Sequence, residues 1–379
     1  MAELSDPIAA GGIAALPPRA NPDLVGHEAA ESALRRLFES GRMPHALLLS
    51  GPRGIGKATM AFRLARFVLA TGAGQGAGQG ADDRLFGGAE SGLGIASDSG
   101  VCRRVASGGH ADLLTVERAY DPRRRRLRGE IVVDEAREIA AFLRLTAAEG
   151  GWRVVVVDGA DEMNRSAANA LLKILEEPPQ RVLLLLVAHS PGRLLPTIRS
   201  RCRRFPMAPL PVATVRRLLA RYRPDLPDAQ AEALIALSGG SIGRALDLAG
   251  AGGVELYQAV VALLAREQGI DPAALHGFAD RLARAEAQEA YRAVEDLVGQ
   301  LLAAIAVAAA RGPVTENPGA APLAAADAVL RRLGGRAPAA RWAELREEIG
   351  HSFARTDALN LDRKQTILGA FFAIDAAAR

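Results

Sequence analysis

A glycine-rich loop that ends in a lysine is the part of the sequence best suited to chemistry. The stretch Gly51-Pro-Arg-Gly-Ile-Gly-Lys57 follows a short apolar run and precedes a segment of helical periodicity. Its glycines, Gly51, Gly54 and Gly56, allow the backbone to curl so that successive N–H groups face a phosphate, which Lys57 can also reach. Lysine occurs only three times in the chain, so its presence at this position favours a phosphate-binding loop.

The residue after Lys57 departs from that motif. A serine or threonine normally stands there and holds Mg²⁺ through its hydroxyl, whereas this chain has Ala58. Thr59 lies one residue further, turned by about 100° around the helix, and is not expected to substitute. The loop is therefore expected to allow phosphate binding, but not the binding of ATP with a correctly held Mg²⁺ ion. A glycine-rich strand–helix turn with no ligand is the alternative.

A second acidic motif follows a buried strand. Val154-Val-Val-Val-Asp158 has the form of a Walker B strand, which would bring Asp158 to the metal. Gly159 stands where a glutamate would polarise the attacking water, and Asp161 and Glu162 come only in the loop beyond it. An acid after a strand is often only a helix cap, but the two motifs together predict a nucleotide-binding frame that does not hydrolyse ATP.

The order of elements around these motifs predicts the fold class. Buried strands are expected over 46–50, 152–158 and 182–188, and helices over 59–70, 134–145 and 166–177. Such alternation predicts an α/β domain with a parallel sheet covered by helices. From Pro209 onward the pattern is helical only.

Composition excludes several classes of protein. The chain has 379 residues, of which 49% are apolar and 24% charged, so it is not disordered, collagen-like or a small disulfide scaffold. A net charge of +4 permits a nucleic-acid partner without requiring one. The acidic start of the chain and the lack of a long apolar run predict a cytoplasmic protein with no membrane partner.

Several segments together resemble the AAA+ clamp-loader family of bacterial DNA polymerase III, in particular its delta-prime branch. The most specific is Asn169-Ala-Leu-Leu-Lys-Ile-Leu-Glu-Glu-Pro-Pro179, accompanied by Ser200-Arg201-Cys202 and by the sequences that precede the two motifs above. The resemblance covers roughly residues 21–250. It implies a loose lead-in over 1–20, an AAA+ P-loop domain over 21–208, a small helical lid over 209–252 and an all-helical collar over 253–379.

The resemblance also implies partners and a function. The family forms a ring-like hetero-pentamer of gamma/tau, delta and delta-prime subunits that opens a sliding clamp and places it on primer–template DNA. The delta-prime member does not hydrolyse ATP, but offers the arginine of its Ser-Arg-Cys motif to ATP in a neighbouring subunit. Here that residue is Arg201, flanked by Ser200 and Cys202. A guanidinium supplied in trans offsets charge on the γ-phosphate, although an arginine in a basic cluster is usually a solvated surface residue.

Two further features follow from the resemblance. Gly239-Gly-Ser-Ile-Gly-Arg244 resembles the sensor-2 segment, which would place Arg244 at the nucleotide of its own subunit; a surface charge is the alternative. The family's four-cysteine zinc module is reduced to Cys102 within a flexible region over 71–112, so no zinc is expected. The residues predicted to form the degenerate nucleotide site are Gly51, Gly54, Gly56, Lys57, Thr59, Asp158 and Arg244.

Two other functions are weighed against the non-hydrolysing subunit. One is an active gamma/tau-type clamp-loader ATPase, and the other is a nucleotide-binding switch that holds ATP without cleaving it. Ala58 and Gly159 argue against the ATPase.

Overall fold

The computed structural model describes residues 16–72, 92–121, 126–149, 151–311 and 324–379. These residues form two compact units. The first runs to Tyr222 and includes Gly240–Gly243, and the second comprises Arg223–Gly239 and Arg244–Arg379. The three-domain division expected from the sequence remains a prediction.

The first unit alternates strands and helices, as predicted. Its strands are β1 (Ala46–Ser50), β2 (Leu113–Val116), β3 (Tyr120–Asp121), β4 (Arg126–Leu127), β5 (Arg153–Asp158), β6 (Val182–Ala188) and β7 (Arg203–Pro206). Its helices are α1 (Glu28–Glu39), α2 (Lys57–Gly72), α3 (Gly100–Ser107), α4 (Val133–Arg144), α5 (Arg165–Glu176), α6 (Pro196–Arg201) and α7 (Val212–Tyr222).

Five of these strands form one parallel sheet, in the order β2-β5-β6-β1-β7. The short strands β3 and β4 pair separately as an antiparallel hairpin. Parallel neighbours need crossover connections, and the helices between the strands provide them. The predicted α/β fold class with a parallel sheet is therefore confirmed.

Both faces of the sheet are buried, as the continuous apolar strands require. In β1, Leu47 and Leu49 pack with helices α1 and α2, whereas Ala46 and Leu48 join the core on the opposite face. Strands β5 and β6 divide their residues between the same two cores. Successive side chains of a strand point to opposite faces, so polar residues of β1, β5 and β6 are confined to the ends of these strands, whereas Arg203 and Arg204 of β7 are exposed.

Local sequence features determine where the helices α2 and α5, which contain the motifs, begin and end. Helix α2 begins at Lys57, two residues before the predicted start. Helix α5 begins after Asn164, whose side chain accepts a hydrogen bond from Ala167 N. It ends just before Pro178-Pro179, which cannot continue a helix.

The described residues of the second unit contain helices and no strands, in agreement with the sequence. Its helices are α8 (Asp228–Ser238), α9 (Ile242–Gly250, whose first two residues belong to the first unit), α10 (Gly253–Ala265), α11 (Pro272–Leu282), α12 (Gln288–Arg311), α13 (Ala324–Gly334), α14 (Ala339–Leu359) and α15 (Arg363–Ala377). Their shared core contains Tyr291, Trp342, Phe353 and Phe371.

One helical stretch of this unit, Ala285–Arg311, is long and apolar enough to cross a membrane by length and composition alone. Its residues Val298, Leu301 and Ile305 are nevertheless part of the core shared with the neighbouring helices. A buried core helix has the same composition, and this packing accounts for the apolar character of the segment.

The region predicted to be flexible, over 71–112, lies only partly among the described residues, because 73–91 fall outside them. Its later part contains helix α3, which begins after Ser99, whose side chain accepts from Cys102 N, and ends at Gly108 in the left-handed conformation. The lead-in is described from residue 16 onward. Arg66 of α2 donates hydrogen bonds to the carbonyls of Asn21 and Arg19 and so attaches it to the first unit.

Replacing Leu185 with alanine tests the two-sided burial of the sheet. Leu185 in β6 is fully buried, so we expect Leu185→Ala to lower the free energy of unfolding by about 2–5 kcal/mol in chemical denaturation. Leu145→Ala is the control, since Leu145 is 65% exposed and should lose much less. Equal losses for both variants would contradict the packing.

Candidate functional site

The loop between β1 and α2 is held by hydrogen bonds to its carbonyl groups. Lys57 Nζ donates to Pro52 O (2.5 Å), Ser241 Oγ to Arg53 O (2.7 Å), Gly243 N to Gly54 O (2.9 Å) and His27 Nε2 to Ile55 O (2.7 Å). Four consecutive carbonyls are thereby hydrogen-bonded, three of them to residues distant in the chain. Among the residues that the structure describes, the N–H groups of Gly54, Ile55 and Gly56 donate to no other group. Such N–H groups fit a phosphate.

Glycine is required at two positions of this loop. Gly51 has a φ of 150°, and a Cβ atom there would lie 2.3 Å from the carbonyl oxygen of Met207. Gly56 has a φ of 103°, with Leu24 Cδ1 only 2.8 Å from the place of a Cβ. Both positions combine a backbone that other residues rarely adopt with a close neighbour. The predicted glycine pattern therefore has a structural cause.

Lys57 and Asp158 are brought together at the carboxyl edge of the sheet. Lys57 is only 3% exposed. Burial lowers the pKa of Lys57 to about 8, against the influence of the Asp158 and Asp161 carboxylates. Burial, together with Glu117 and Glu162, raises the pKa of Asp158 to about 6, although Lys57 acts in the opposite direction. Each charge is thus only partly compensated by the other.

The acidic residues beyond Asp158 are engaged in other contacts. Asp161 accepts hydrogen bonds from His189 N (3.0 Å) and Ser190 N (2.7 Å), which tie it to the end of β6. Glu162 forms an ion pair with Arg118 (2.8 Å). Gly159, where a catalytic glutamate would stand, has a φ of 82°, a conformation that disfavours a residue with a side chain. No glutamate stands at position 159, but the Glu162 carboxylate occupies the space beside it, with Oε2 2.7 Å from where a Cβ of residue 159 would lie.

The residues present fit a phosphate group better than a magnesium-bound nucleotide. The loop N–H groups and Lys57 can surround an anion, but position 58 is an alanine and has no hydroxyl. Thr59 is buried in the first turn of α2. Binding of ATP at this site remains a prediction.

The sequence analysis did not identify His189, which lies at the same edge. Its Nδ1 is buried without a hydrogen-bond partner among the described residues. Burial, reinforced by the positive charge of Lys57, lowers the pKa of His189 to about 4, so the imidazole is neutral at pH 7. The available signal was its position directly after a buried strand, the same signal that pointed to Asp158.

Arg201 lies away from the interior, at the end of α6. Its side chain is 37% exposed, with Nη2 2.9 Å from Glu176 Oε1 of α5 and Nη1 donating to Thr197 O (3.1 Å). Ser200 is exposed and its hydroxyl donates to Thr197 O. Cys202 is buried and packs in the core beside Ile198, and burial raises its pKa to about 12. Arg201 therefore lies exposed at the end of a short helix whose Ile198 packs in the core, as does the next residue, Cys202.

Arg244 and the remnant of the zinc module have other surroundings. Arg244 belongs to the second unit, where its Nη2 lies 2.8 Å from Asp296 Oδ2; a nucleotide contact remains a prediction.

Cys102 and His110 are both buried, and the Nδ1 of His110 accepts from Asp112 N. Within the described residues, no three metal-ligating side chains gather at one place. The expectation of no zinc remains untested.

Comparison with known proteins places these features in a family. The family profile described as "DNA polymerase III, delta subunit" matches residues 26–211. The subunit delta' of Pseudomonas aeruginosa is 40% identical over 200 residues, covering 52% of this chain and 53% of that protein. The chain is a member of the DNA polymerase III clamp-loader family. The matched residues lie in the first unit, whose α/β fold with a parallel sheet is the fold class expected from the sequence.

Other relatives belong to two kinds of subunit. The subunit delta' of Escherichia coli is 34% identical, covering 56% of each chain. The gamma/tau subunit of Mycobacterium tuberculosis strain H37Rv is 30% identical, covering 73% of this chain and 45% of that protein. The chain therefore spans about half the length of these relatives. Because the chain is similar to both delta' and gamma/tau subunits, overall similarity does not decide between them, and the residues of the site must be compared.

The raised pKa of Asp158 predicts a measurable pH dependence of stability. Because the folded pKa of about 6 exceeds the unfolded value, Asp158 destabilises the fold when ionised, so Asp158→Asn should stabilise it. The gain should be near zero below pH 4 and approach about 3 kcal/mol above pH 6. Chemical denaturation of both proteins across this range measures it.

Asp134→Asn serves as the control, since the Asp134 side chain is 79% exposed and its replacement should give a small difference at every pH. A gain for Asp158→Asn that does not change between pH 4 and 7 would contradict the assignment.

Proposed function

We propose that this chain is the non-hydrolysing, delta-prime-type subunit of a DNA polymerase III clamp loader. In this role it donates Arg201 to ATP bound in a neighbouring gamma/tau-type subunit and helps to load the sliding clamp onto primed DNA. The observation that carries the proposal is the contrast between two sites. The arginine of the Ser-Arg-Cys motif is exposed, while the chain's own phosphate loop lacks the groups that hydrolysis needs.

The residues around Asp158 support the absence of hydrolysis. ATP hydrolysis needs a metal held by a hydroxyl and a carboxylate, and a group that orients the attacking water. Ala58 removes the hydroxyl that would hold the metal. Asp161 and Glu162 have their own partners. These differences favour the delta-prime role over an active gamma/tau-type ATPase.

The surroundings of Arg201 support donation to another chain. The guanidinium is half-exposed and carries the fork of donors that binds phosphate oxygens in a bidentate manner. Its ion pair with Glu176 is at the surface, where such pairs contribute about 0–1 kcal/mol. A triphosphate can therefore replace Glu176 at little cost. A guanidinium placed in trans increases phosphoryl-transfer rates by about 10³–10⁵.

The proposed assembly is a hetero-pentamer with gamma/tau and delta subunits. In it, the helical second unit would serve as a collar that holds the subunits together, and primer–template DNA and the clamp would be bound by the complex as a whole. The similarity to delta' and gamma/tau subunits supports these partners. A cytoplasmic location follows from the same proposal.

The purified chain alone should not hydrolyse ATP. We expect no turnover above background with Mg²⁺ and primed DNA, because Ala58 and Gly159 remove the hydroxyl and the carboxylate. A phosphate-release assay on the chain measures this directly. Turnover of about one per second or faster, in the range of ordinary enzymes, would favour the gamma/tau-type ATPase instead. Binding of a fluorescent ATP analogue, with and without Mg²⁺, separates a phosphate-binding loop from a nucleotide-holding switch.

Arg201→Ala should leave the fold intact and slow ATP hydrolysis in the reconstituted loader. The residue is exposed, so its thermal unfolding should be unchanged, while hydrolysis at the site that receives it should slow at least tenfold. Single-turnover ATPase measurements on the reconstituted complex test this. Arg201→Lys keeps the charge without the bidentate fork and should restore only part of the rate.

The matched control is Arg137→Ala, which removes an arginine that is 72% exposed on α4. A complex reconstituted with this variant should hydrolyse ATP at the wild-type rate. Equal rates for Arg201→Ala and wild type in a complex of normal composition would refute the donated arginine.

A further inference from the structure

Three carbonyl groups of the phosphate loop are held by hydrogen bonds that also orient the N–H groups beside them. The carbonyls of Arg53, Gly54 and Ile55 each accept a hydrogen bond from a distant part of the chain. A peptide unit is planar and trans, so the C=O of one residue and the N–H of the next point in opposite directions. The bonds on the carbonyl side therefore turn the N–H groups of Gly54, Ile55 and Gly56 to the other side of the loop, where a phosphate can reach them.

Two of the three carbonyls are held by one short segment, residues 241–243, which we call the clip. Ser241 Oγ donates to Arg53 O (2.7 Å), and Gly243 N donates to Gly54 O (2.9 Å). The clip belongs to the first unit, as the loop does, and Ser241 is only 3% exposed. The first N–H groups of a helix have no partner within the helix. Helix α9 directs one of these groups, that of Gly243, to the loop.

The clip approaches the loop so closely that position 243 has room only for glycine. A Cβ atom at Gly243 would lie 2.8 Å from Gly54 Cα and 3.3 Å from Gly54 O. Both are backbone atoms, which cannot turn away as the end of a flexible side chain can. The clip is anchored on its other side as well, because Leu210 N donates to Gly240 O (2.8 Å). The loop is therefore seated against a segment that the protein's own backbone holds in place.

We propose that the clip is the positioning element of the phosphate loop and holds two N–H groups ready for a phosphate group without the help of Mg²⁺. Ser241 sets the direction of the Gly54 N–H group. Gly243 sets that of the Ile55 N–H group. A loop that is already ordered loses less conformational entropy when an anion binds, so it binds the anion more tightly. The inference rests on the proposed function, because it takes the loop to be one that binds phosphate without hydrolysing ATP.

A purely structural role of the clip is the alternative, because buried hydrogen bonds also stabilise a fold without acting on a ligand. The chain contains a matched residue for each clip residue that does not contact the loop. Ser238 is 2% exposed, and its Oγ donates to Ile235 O within α8, also at 2.7 Å. Gly250, at the end of α9, has nothing within 4 Å of the place of a Cβ atom. These two residues separate loss of stability from loss of binding.

The test measures diphosphate binding and stability on the same variants of the full-length chain. Ser241→Ala and Ser238→Ala should lower the free energy of unfolding by similar amounts, because each removes a buried hydroxyl that donates to a carbonyl. Only Ser241→Ala should also weaken diphosphate binding, by about threefold or more. Isothermal titration calorimetry without Mg²⁺ measures the affinity, and chemical denaturation measures the stability.

Gly243→Ala should act more strongly, because the new methyl group must displace the backbone of Gly54. We expect the diphosphate affinity to fall by about tenfold or more, whereas Gly250→Ala should keep the wild-type affinity. Thermal melts verify folding, and Ser241→Ala keeps the test decisive if Gly243→Ala does not fold. A second titration with ATP, also without Mg²⁺, compares a nucleotide with the bare phosphate chain. The clip variants should weaken binding of both ligands, because the loop contacts the phosphate groups of each.

Wild-type diphosphate affinity of Ser241→Ala would overturn the proposal. Equal weakening in Ser238→Ala would overturn it too, since lost stability would then explain the effect. So would a wild-type chain that binds neither ligand, or that binds them only with Mg²⁺. In each of these cases the donated arginine still stands if Arg201→Ala slows hydrolysis in the reconstituted loader. If the clip variants lose affinity while Arg201→Ala hydrolyses ATP normally, the donated arginine fails and the clip stands.

Discussion

Burial of the parallel sheet on both faces is the constraint on which the chemistry of the first unit depends. Strands β1, β5 and β6 have apolar side chains on both faces, so charged residues are left to the ends of strands. The carboxyl edge collects Lys57, Asp158 and His189. Arg201, at the end of α6, precedes the amino end of β7 by two residues. Because both faces of these strands are buried, the phosphate loop and the exposed Arg201 both lie outside the strands, at different edges of the sheet.

The carboxyl edge retains the shape of a nucleotide site without its full chemistry. The loop is fixed through its carbonyls, so its N–H groups remain oriented for an anion. Preorganised donors of this kind bind charge without further rearrangement. The missing groups are those that act on metal and water. In the proposed role, phosphate recognition and catalysis would depend on different residues, and only the second set departs from the motif, at Ala58 and Gly159.

The sequence predicted those elements whose patterns reflect their own burial. The apolar runs of β1, β5 and β6 identify them as strands because both faces are covered. Strands β2 and β7 were not predicted, because Leu113–Val116 is only partly buried and Arg203–Pro206 is basic and exposed. Their conformation depends on pairing with β5 and β1. Such pairing joins distant segments and leaves no local pattern.

The same distinction applies to the candidate site. Lys57 and Asp158 belong to local motifs with known spacing, so the sequence identifies them. The contacts of Asp161 with the end of β6, and the hydrogen bonds from Ser241 and Gly243 to the loop, join segments far apart in the chain. No spacing rule reveals them. Arg201 was identified by resemblance, but its pairing with Glu176 depends on how α6 packs against α5.

The ion pair between Arg201 and Glu176 would make the binding of a phosphate by Arg201 readily reversible. While no phosphate is present, the ion pair with Glu176 and the hydrogen bond to Thr197 O favour one position of the Arg201 guanidinium, so binding of a new anion costs less rotamer entropy. Once that anion departs, the carboxylate is again the nearest partner. In the proposed role, Arg201 would pair with Glu176 whenever it is not bound to the neighbouring subunit's ATP.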